Sequence, residues 1–331
     1  MRAIVITEPG GPEVLSWAEV PDPVPAPGEV VIDIAAAGVN RADLMQRQGF
    51  YPPPPGAPPY PGLECSGRIS MLGDGVTGWQ PGDEVCALLG GGGYAERVAV
   101  PQGQLLPVPD GVSLTSAAGL PEAACTIQGT VYQQAHLDAG EVYLVHGGAG
   151  GMGSFAIQLG KADGAVVACT AGTPGKLERC RELGADLVIS YRDQDFVATI
   201  LDFTDGHGAD VILDVVGGPY LTRNMEALAT WGRLVVISVQ GGAQAEMNLG
   251  LLMHKRATVC GATLRARPPA EKAAVVAAAR QHSWPLISAG KIQPVIDHVL
   301  PMADAAQAHR LFDEGTHTGK ILLANQTPAG Q

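Results

Sequence analysis

The run Val142-Tyr143-Leu144-Val145-His146-Gly147-Gly148-Ala149-Gly150-Gly151-Met152-Gly153 carries the strongest chemical signal in the chain. Gly148, Gly150 and Gly153 satisfy G-x-G-x-x-G directly after a strand-like run and directly before a helical one. In that order the first glycine permits a tight turn and the second lets backbone approach a pyrophosphate. The third lets helix and strand pack closely. Free amides at the helix start, at the positive end of its dipole, then hold phosphates. The whole turn, with Ala149, Gly151 and Met152 between the glycines, reads as a dinucleotide-binding loop. The plain alternative is a flexible glycine-rich loop.

A second stretch, Cys169-Thr170-Ala171-Gly172-Thr173-Pro174-Gly175-Lys176, falls where NAD-binding sites place an acid on the ribose 2′-hydroxyl. It holds no carboxylate. Gly172, Thr173 and Lys176 instead leave room for a 2′-phosphate and something to bind it, so NADPH is the expected cofactor. Lys176 as a solvated residue at a helix start is the competing reading. Asp214-Val215-Val216-Gly217-Gly218 follows a later strand, where Gly217 would let backbone pass close to the ribose or serve turn chemistry. Ser238, Val239 and Gln240, with the glycines to Gly242, follow the next strand, at the carboxyl edge where such sheets bind ligands. His146 reads as a strand-end residue, not a base.

These residues need a scaffold that presents strand ends side by side. From Val142 onward, strand-like and helical runs alternate: strands at 142–146, 165–170, 187–190, 211–215, 234–238 and 257–264, helices at 151–162 and 175–183. Near-continuous apolar strands in that rhythm predict a six-stranded, doubly wound parallel sheet of α/β class. The first third differs. Short β-like runs such as Glu29–Ile34 and Arg97–Val100 lie between Pro/Gly turns, which predicts a β-rich domain. Residues 51–61, with seven prolines, cannot be helical and read as an extended surface loop. After Ile292, a strand to Leu300, a helix over 303–312 and the run Ile321-Leu322-Leu323 are expected to rejoin the N-terminal domain.

The 331 residues allow about two domains. A net charge of -12, with no Lys/Arg run, argues against a nucleic-acid partner. No stretch resembles a signal peptide or a bilayer span, and six scattered cysteines without CxxC read as reduced, buried thiols. The cytosol is the expected address. Charged residues at 16% are well below the roughly 25% of ordinary domains, which implies extensive burial that includes a subunit interface.

Taken together, Gly140-Glu141, Leu144, Gly148 to Gly151, Gly153, Gln158 and Lys161 resemble the quinone oxidoreductase branch of the medium-chain dehydrogenase/reductase family. So do Gly75, Gly78 and Pro81-Gly82-Asp83-Glu84-Val85. Asn40 to Gly49, followed by Tyr51, is especially similar to the tumour-suppressor-inducible, zeta-crystallin-like members. The likeness runs over nearly the whole chain. It implies a GroES-like catalytic domain at 1–122 and 294–331, a Rossmann NADPH-binding domain at 123–293, a cleft between them and a homodimer.

Zinc-dependent relatives carry a Cys ligand at the position of Asn40 and Gly-His-Glu at Gly62-Leu63-Glu64. Neither replacement offers zinc a donor, and the four-Cys lobe is missing, so no metal is expected. Alcohol oxidation relies on a Lewis acid, whereas an electron-poor quinone or enone spreads incoming charge itself. The resemblance places Asn40 beside the nicotinamide and Tyr51 over the substrate; the plain alternatives are a turn residue and packing on the proline loop. An unperturbed Tyr, with a pKa near 10, is a weak acid, so a positional role suits Tyr51 better. Asp43 reads as a capping carboxylate. Thr126 resembles a position near the nicotinamide, Tyr191 one covering the adenosine phosphate, and Leu264-Arg265 and Lys320 positions that contact cofactor. A core hydroxyl and a surface Tyr are the alternatives for Thr126 and Tyr191. Met45 stands where several relatives carry a second Tyr, which changes the pocket.

Three functions follow: NADPH-dependent quinone reduction, enone or enoyl-thioester reduction on the same scaffold, and a cofactor-binding protein with little catalysis. The apolar run Ala257–Ala262 is a candidate edge strand for pairing in a dimer.

Overall fold

Turn-punctuated short strands in the first third pair antiparallel in the computed structural model, which describes residues 1–325. Here β1 (Arg2–Ile6) and β2 (Leu15–Glu19) form a ribbon. The long β3 (Glu29–Gly38) leads into helix α1 (Arg41–Arg47), then the proline loop, which holds no helix or strand. Next come β4 (Glu64–Leu72), β5 (Glu84–Leu88), β6 (Arg97–Pro101) and β7 (Leu105–Pro107), followed by helices α2 (Leu114–Ala117) and α3 (Pro121–Ile127).

The alternation after residue 140 gives β8 (Val142–His146), α4 (Gly151–Ala162), β9 (Val166–Ala171), α5 (Pro174–Glu182), β10 (Leu187–Ser190) and α6 (Phe196–Phe203). It continues through β11 (Ala209–Asp214), α7 (Leu221–Ala227), β12 (Leu228–Val236), α8 (Leu249–Lys255) and β13 (Thr258–Gly261). All six strands are parallel, in the order β10-β9-β8-β11-β12-β13. That is the doubly wound order 3-2-1-4-5-6, as the alternation predicts. Every residue of β8 is buried, because helices cover both faces of a parallel sheet. Its core joins Leu144, Ala168, Ile212 and Leu234 to Phe196 and Ile200 of α6.

Several element boundaries differ from expectation. β12 begins six residues early and ends at Val236, which leaves Ser238, Val239 and Gln240 in the following loop. β13 is four residues long, so Leu264 and Arg265 fall beyond it. The last helix spans 305–314 and not 303–312.

The C-terminal part consists of α9 (Pro269–Ser288), β14 (Ile296–Pro301), α10 (Ala305–Glu314) and β15 (Lys320–Ala324). β15 pairs antiparallel with β3, completing a sheet ordered β14-β15-β3-β4-β5-β7, with β6 also on β3. Ile32, Leu44, Ile69, Tyr94 and Leu323 fill its core.

Two units result: Met1–Cys125, Leu264–Gly290 and the chain from Pro294 in one, Thr126–Thr263 with Lys291–Gln293 in the other. Residues 264–290, expected with the parallel sheet, group with the antiparallel one. The reason is local: α9 packs on β7 and the turn at 102–104, and Trp284 Nε1 donates to the Pro107 carbonyl at 2.7 Å. No described helix is long and apolar enough to cross a membrane.

Candidate functional site

Within the parallel unit, the phosphate turn sits at the end of the buried strand β8. Gly148 N donates to the Thr170 carbonyl at 2.9 Å and Gly150 N to that of Gly147 at 3.1 Å. Gly150 is the N-cap of α4, with extended backbone and no side-chain cap. By contrast α5 is capped by Thr173 and α8 by Asn248. The first amides of α4, at Gly151, Met152 and Gly153, therefore have no partner inside their own helix. This is the arrangement that accepts an anion. A Cβ on Gly150 would meet only the Gly147 carbonyl, at 3.6 Å, so the turn's outer side is open to a ligand. These features fit a dinucleotide diphosphate.

The neighbouring strand ends supply the other expected contacts. Thr173 Oγ1 accepts from Lys176 N at 3.4 Å, which makes Thr173 the N-cap of α5. Lys176 lies in the first turn of α5. Tyr191, 46% exposed, follows β10, and its hydroxyl lies over Gly172, so this glycine, Thr173, Lys176 and Tyr191 border one region. No carboxylate ends β9.

Gly217 has a φ of +84°, and its amide and that of Val216 donate to the Asp214 carboxylate at 3.0 and 2.7 Å. It also bridges to Gly242, and Val239 packs beside it. Turn chemistry thus accounts for Gly217 and joins the two expected loops into one edge. Thr126 is half-buried, and its carbonyl accepts from Thr130 Oγ1 at 2.6 Å. His146 is buried, bonded through Nε2 to Asn224 Oδ1 at 2.7 Å, and burial lowers its pKa to about 4. It stays neutral.

The antiparallel unit assembles a second constellation. Asn40 caps α1: its amide donates to Asp43 Oδ2 at 2.8 Å. Asp43 is fully buried and also accepts from Gly62 N at 2.8 Å and the Tyr94 hydroxyl at 3.2 Å. Burial raises its pKa to about 6 despite those donors. Asp43 is a capping and tethering group.

The Asn40 side chain reaches Glu64 and Lys320. Its Nδ2 donates to Glu64 Oε1 at 2.9 Å, and Lys320 Nζ donates to Asn40 Oδ1 at 2.7 Å and to Glu64 Oε1. Glu64 Oε2 accepts from Glu122 N at 2.9 Å. Glu64 is wholly buried and Lys320 nearly so. Topology explains the meeting: β15 and β4 flank β3, and Gly38 on β3 leaves the gap. A Cβ there would lie 2.2 Å from Glu64 Oε1.

Tyr51 is held by Arg265. Its carbonyl accepts from Arg265 Nη1 at 3.1 Å, and the guanidinium lies 5.2 Å from its ring centroid. Arg265 also donates to Gln46 Oε1 at 2.6 Å and the Gly90 carbonyl at 2.8 Å. Burial, then the Glu122 charge, raises the Tyr51 pKa, so its hydroxyl remains a hydrogen-bond donor. Lys320 and Arg265, expected against the cofactor, have their cations committed within this unit. Glu64 and Glu122 escaped the sequence reading, because no local pattern marks a carboxylate whose partners are this far away in sequence.

Residues 26–110 match the "Alcohol dehydrogenase GroES-like domain" family and residues 151–280 the "Zinc-binding dehydrogenase" family. The chain is 31% identical to the quinone oxidoreductase of Rattus norvegicus over 329 residues, 98% of this chain and 97% of that one. It belongs to the quinone oxidoreductase branch of the medium-chain dehydrogenase/reductases. The structure of Escherichia coli quinone oxidoreductase complexed with NADPH superposes with a TM-score of 0.88 at 29% identity, covering 98% of this chain and 100% of that chain. The chain is also 31% identical over 324 residues (96% of its length) to a phenolphthiocerol/phthiocerol polyketide synthase polypeptide of Mycobacterium tuberculosis, of which it spans 14%. Within the branch, this chain departs from the zinc chemistry named in its family match. An amide at Asn40 and an alkyl group at Leu63 donate nothing to zinc, and among the described residues no three His, Cys, Asp or Glu side chains group to hold a metal.

Proposed function

We propose that this chain is a zinc-independent NADPH:quinone oxidoreductase. The observation that carries the reading is that the chain has both an uncapped glycine helix start, next to an acid-free strand end, and a polar constellation around Asn40 in which, among the described residues, no three His, Cys, Asp or Glu side chains group to hold a metal. NADPH supplies the hydride when bound. The chain's residues do the rest. The first amides of α4 hold the diphosphate, and Gly172, Thr173, Lys176 and Tyr191 receive the 2′-phosphate side of the adenosine. Gly217, Ser238, Val239 and Gln240 line the edge toward the ribose, with Thr126 toward the nicotinamide. Asn40 is kept rigid by Asp43, Glu64 and Lys320, and Tyr51, still protonated, donates to a substrate oxygen.

Purified protein should oxidise NADPH on addition of ortho- or para-quinones, unaffected by chelators. Faster turnover of enones than of any quinone would move the assignment to a double-bond reductase. Tight NADPH binding without any turnover would leave a binding protein. Lys176→Ala should weaken NADPH about tenfold, roughly 1.4 kcal/mol, and leave NADH affinity unchanged. Equal loss for both cofactors, measured by calorimetry, would remove Lys176 from the 2′-phosphate site.

The reading includes a homodimer and a cytosolic address. Six unpaired thiols support the address. β13 supports the dimer, since it ends its sheet and pairs with β12 alone, while Leu249 and Met253 of the preceding α8 are 63% and 76% exposed. Light scattering that returned the mass of one chain would reject the dimer.

A further inference from the structure

A chain of buried polar groups in the antiparallel unit leads from Asp43 back to solvent. Asp43 and Arg47 lie four residues apart on α1, and His309 and Asp313 four apart on α10, so each pair shares a helix face. Tyr94 stands between the pairs. Its hydroxyl donates to Asp43 Oδ2 and meets His309 Nε2, both at 3.2 Å, with the two rings edge to face. His309 Nδ1 lies 3.3 Å from Arg47 Nη1, and Arg47 Nη2 donates to Asp313 Oδ2 at 3.1 Å. Asp43, Tyr94 and His309 are wholly buried and Arg47 nearly so, while Asp313 is partly exposed.

Arginine only donates, which fixes every hydrogen along this chain. His309 Nδ1 must accept from Arg47, so the ring proton sits on Nε2 and donates to the Tyr94 oxygen. The Tyr94 hydrogen is then committed to Asp43. Asp43 also accepts from Asn40 N and Gly62 N, each at 2.8 Å. The first of these amides starts α1 and the second follows the proline loop. That loop is tied to α1 again by Gln46 Nε2, which donates to the Pro59 carbonyl at 2.9 Å. It is tied to the Tyr94 segment by Gly92 N on the Tyr60 carbonyl at 2.8 Å and Tyr94 N on that of Pro61 at 2.9 Å. Tyr51 begins the same loop.

We propose that His309 is a positioning residue for quinone reduction: through Tyr94 it orients the Asp43 carboxylate, which sets the Asn40 end of α1 and the loop that presents Tyr51. The inference rests on the quinone reductase reading above. The role needs one ring nitrogen that accepts and one that donates, which core filling does not. An alkyl group of equal bulk would leave a buried Arg47 donor and the Tyr94 oxygen unsatisfied.

His309 stays neutral, because burial and then the Arg47 charge lower its pKa to about 3. The group that titrates is Asp43, at about 6, where burial outweighs the Asn40 and Gly62 amides, the Arg265 charge and the Tyr94 hydroxyl. Of the other charges, Glu122 on α3 faces Asp43, and Glu64 on β4 and Arg47 face Tyr94. Asp43 therefore keeps the form that accepts from all three donors above about pH 6. Below that, a proton competes for the lone pairs those donors use.

The test is the pH profile of kcat/KM for a quinone in wild type, His309→Leu, His309→Gln and Tyr94→Phe, with the NADPH affinity and melting temperature of each. Wild-type activity should fall below about pH 6. His309→Leu and Tyr94→Phe should lose about tenfold at pH 8, mainly in kcat. Their acid limb should move from about pH 6 toward pH 7, since Asp43 has lost donation that favours its charged form. His309→Gln should recover most of the rate and the wild-type limb, because its amide oxygen accepts from Arg47 and its NH2 donates to Tyr94. NADPH affinity should be the same in all four. Tyr94→Phe keeps the ring and removes only the hydroxyl, so it decides the matter if His309→Leu does not fold. Profiles that coincide in shape for wild type and a folded Tyr94→Phe overturn the inference, whatever the rates. So does a His309 that nitrogen NMR finds protonated on Nδ1. Wild type inert toward every quinone would overturn the proposed function itself, and this role with it.

Discussion

Gly153→Ala is expected to raise the NADPH dissociation constant at least 100-fold, about 2.7 kcal/mol, and to lower the melting temperature by several degrees. A Cβ at this position would lie 2.3 Å from the Gly147 carbonyl oxygen and 2.6 Å from Gly148 Cα. Both obstacles are backbone, so neither can rotate away, and α4 must slide off the turn that precedes it. Strand β8 cannot follow, because Tyr143, Leu144 and Val145 are fully buried. Overpacking of that kind costs about 1–3 kcal/mol in stability. The cofactor suffers more, since the amides of Gly151, Met152 and Gly153 leave their positions together. Gly150→Ala is the contrasting variant. Its Cβ meets nothing of the protein closer than 3.6 Å, so melting should be unchanged and any loss of affinity belongs to the approach of the ligand. Calorimetry and thermal melts on both variants check this; a Gly153→Ala protein with native affinity and melting temperature would refute it.

Lys320→Met should destabilise the antiparallel unit by about 3–5 kcal/mol at neutral pH. The substitution conserves volume but leaves Glu64, 0% exposed, without the cation that offsets its burial. The hydrogen bonds from Asn40 Nδ2 and Glu122 N remain, yet neither carries a formal charge. Glu64→Gln added to Lys320→Met should recover part of the stability, because it removes the buried charge and keeps an oxygen for one of those two donors, although its NH2 then faces the other. Turnover should not return, since Asn40 Oδ1 has still lost Lys320. Denaturant unfolding of the single and double variants measures the effect, and a single-variant loss below about 1 kcal/mol would show the pair to be solvated.

How much of this was readable beforehand depended on sequence distance. The phosphate turn is contiguous, and most of the six parallel strands are short, apolar and followed by a helix, so periodicity and glycine spacing sufficed for all but the start of β12. The antiparallel unit announced its class through Pro and Gly but not its pairing. β3 meets β15 nearly 300 residues later, and no local pattern records that partnership. Asn40 was singled out by resemblance alone, while the Lys320–Glu64 pair, 256 residues apart, had no local signature. Residues 264–290 fall inside the span that the sequence assigns to the Rossmann half. Their allegiance is decided by contacts such as Trp284 to Pro107, which follow from the fold and not from composition. Gly38 gave no sign of its role, since only the crossing of Glu64 over β3 requires the missing side chain.

The central claim is that NADPH bound to this chain passes hydride to a quinone without a metal. Stopped-flow mixing of the protein–NADPH complex with a series of quinones, in the presence and absence of a strong chelator, tests it most directly. The account predicts rapid loss of NADPH absorbance, one hydroquinone formed per NADPH consumed, and identical rates with chelator. NADPH that stays reduced in the presence of every quinone, or turnover that a chelator stops and zinc restores, would contradict it.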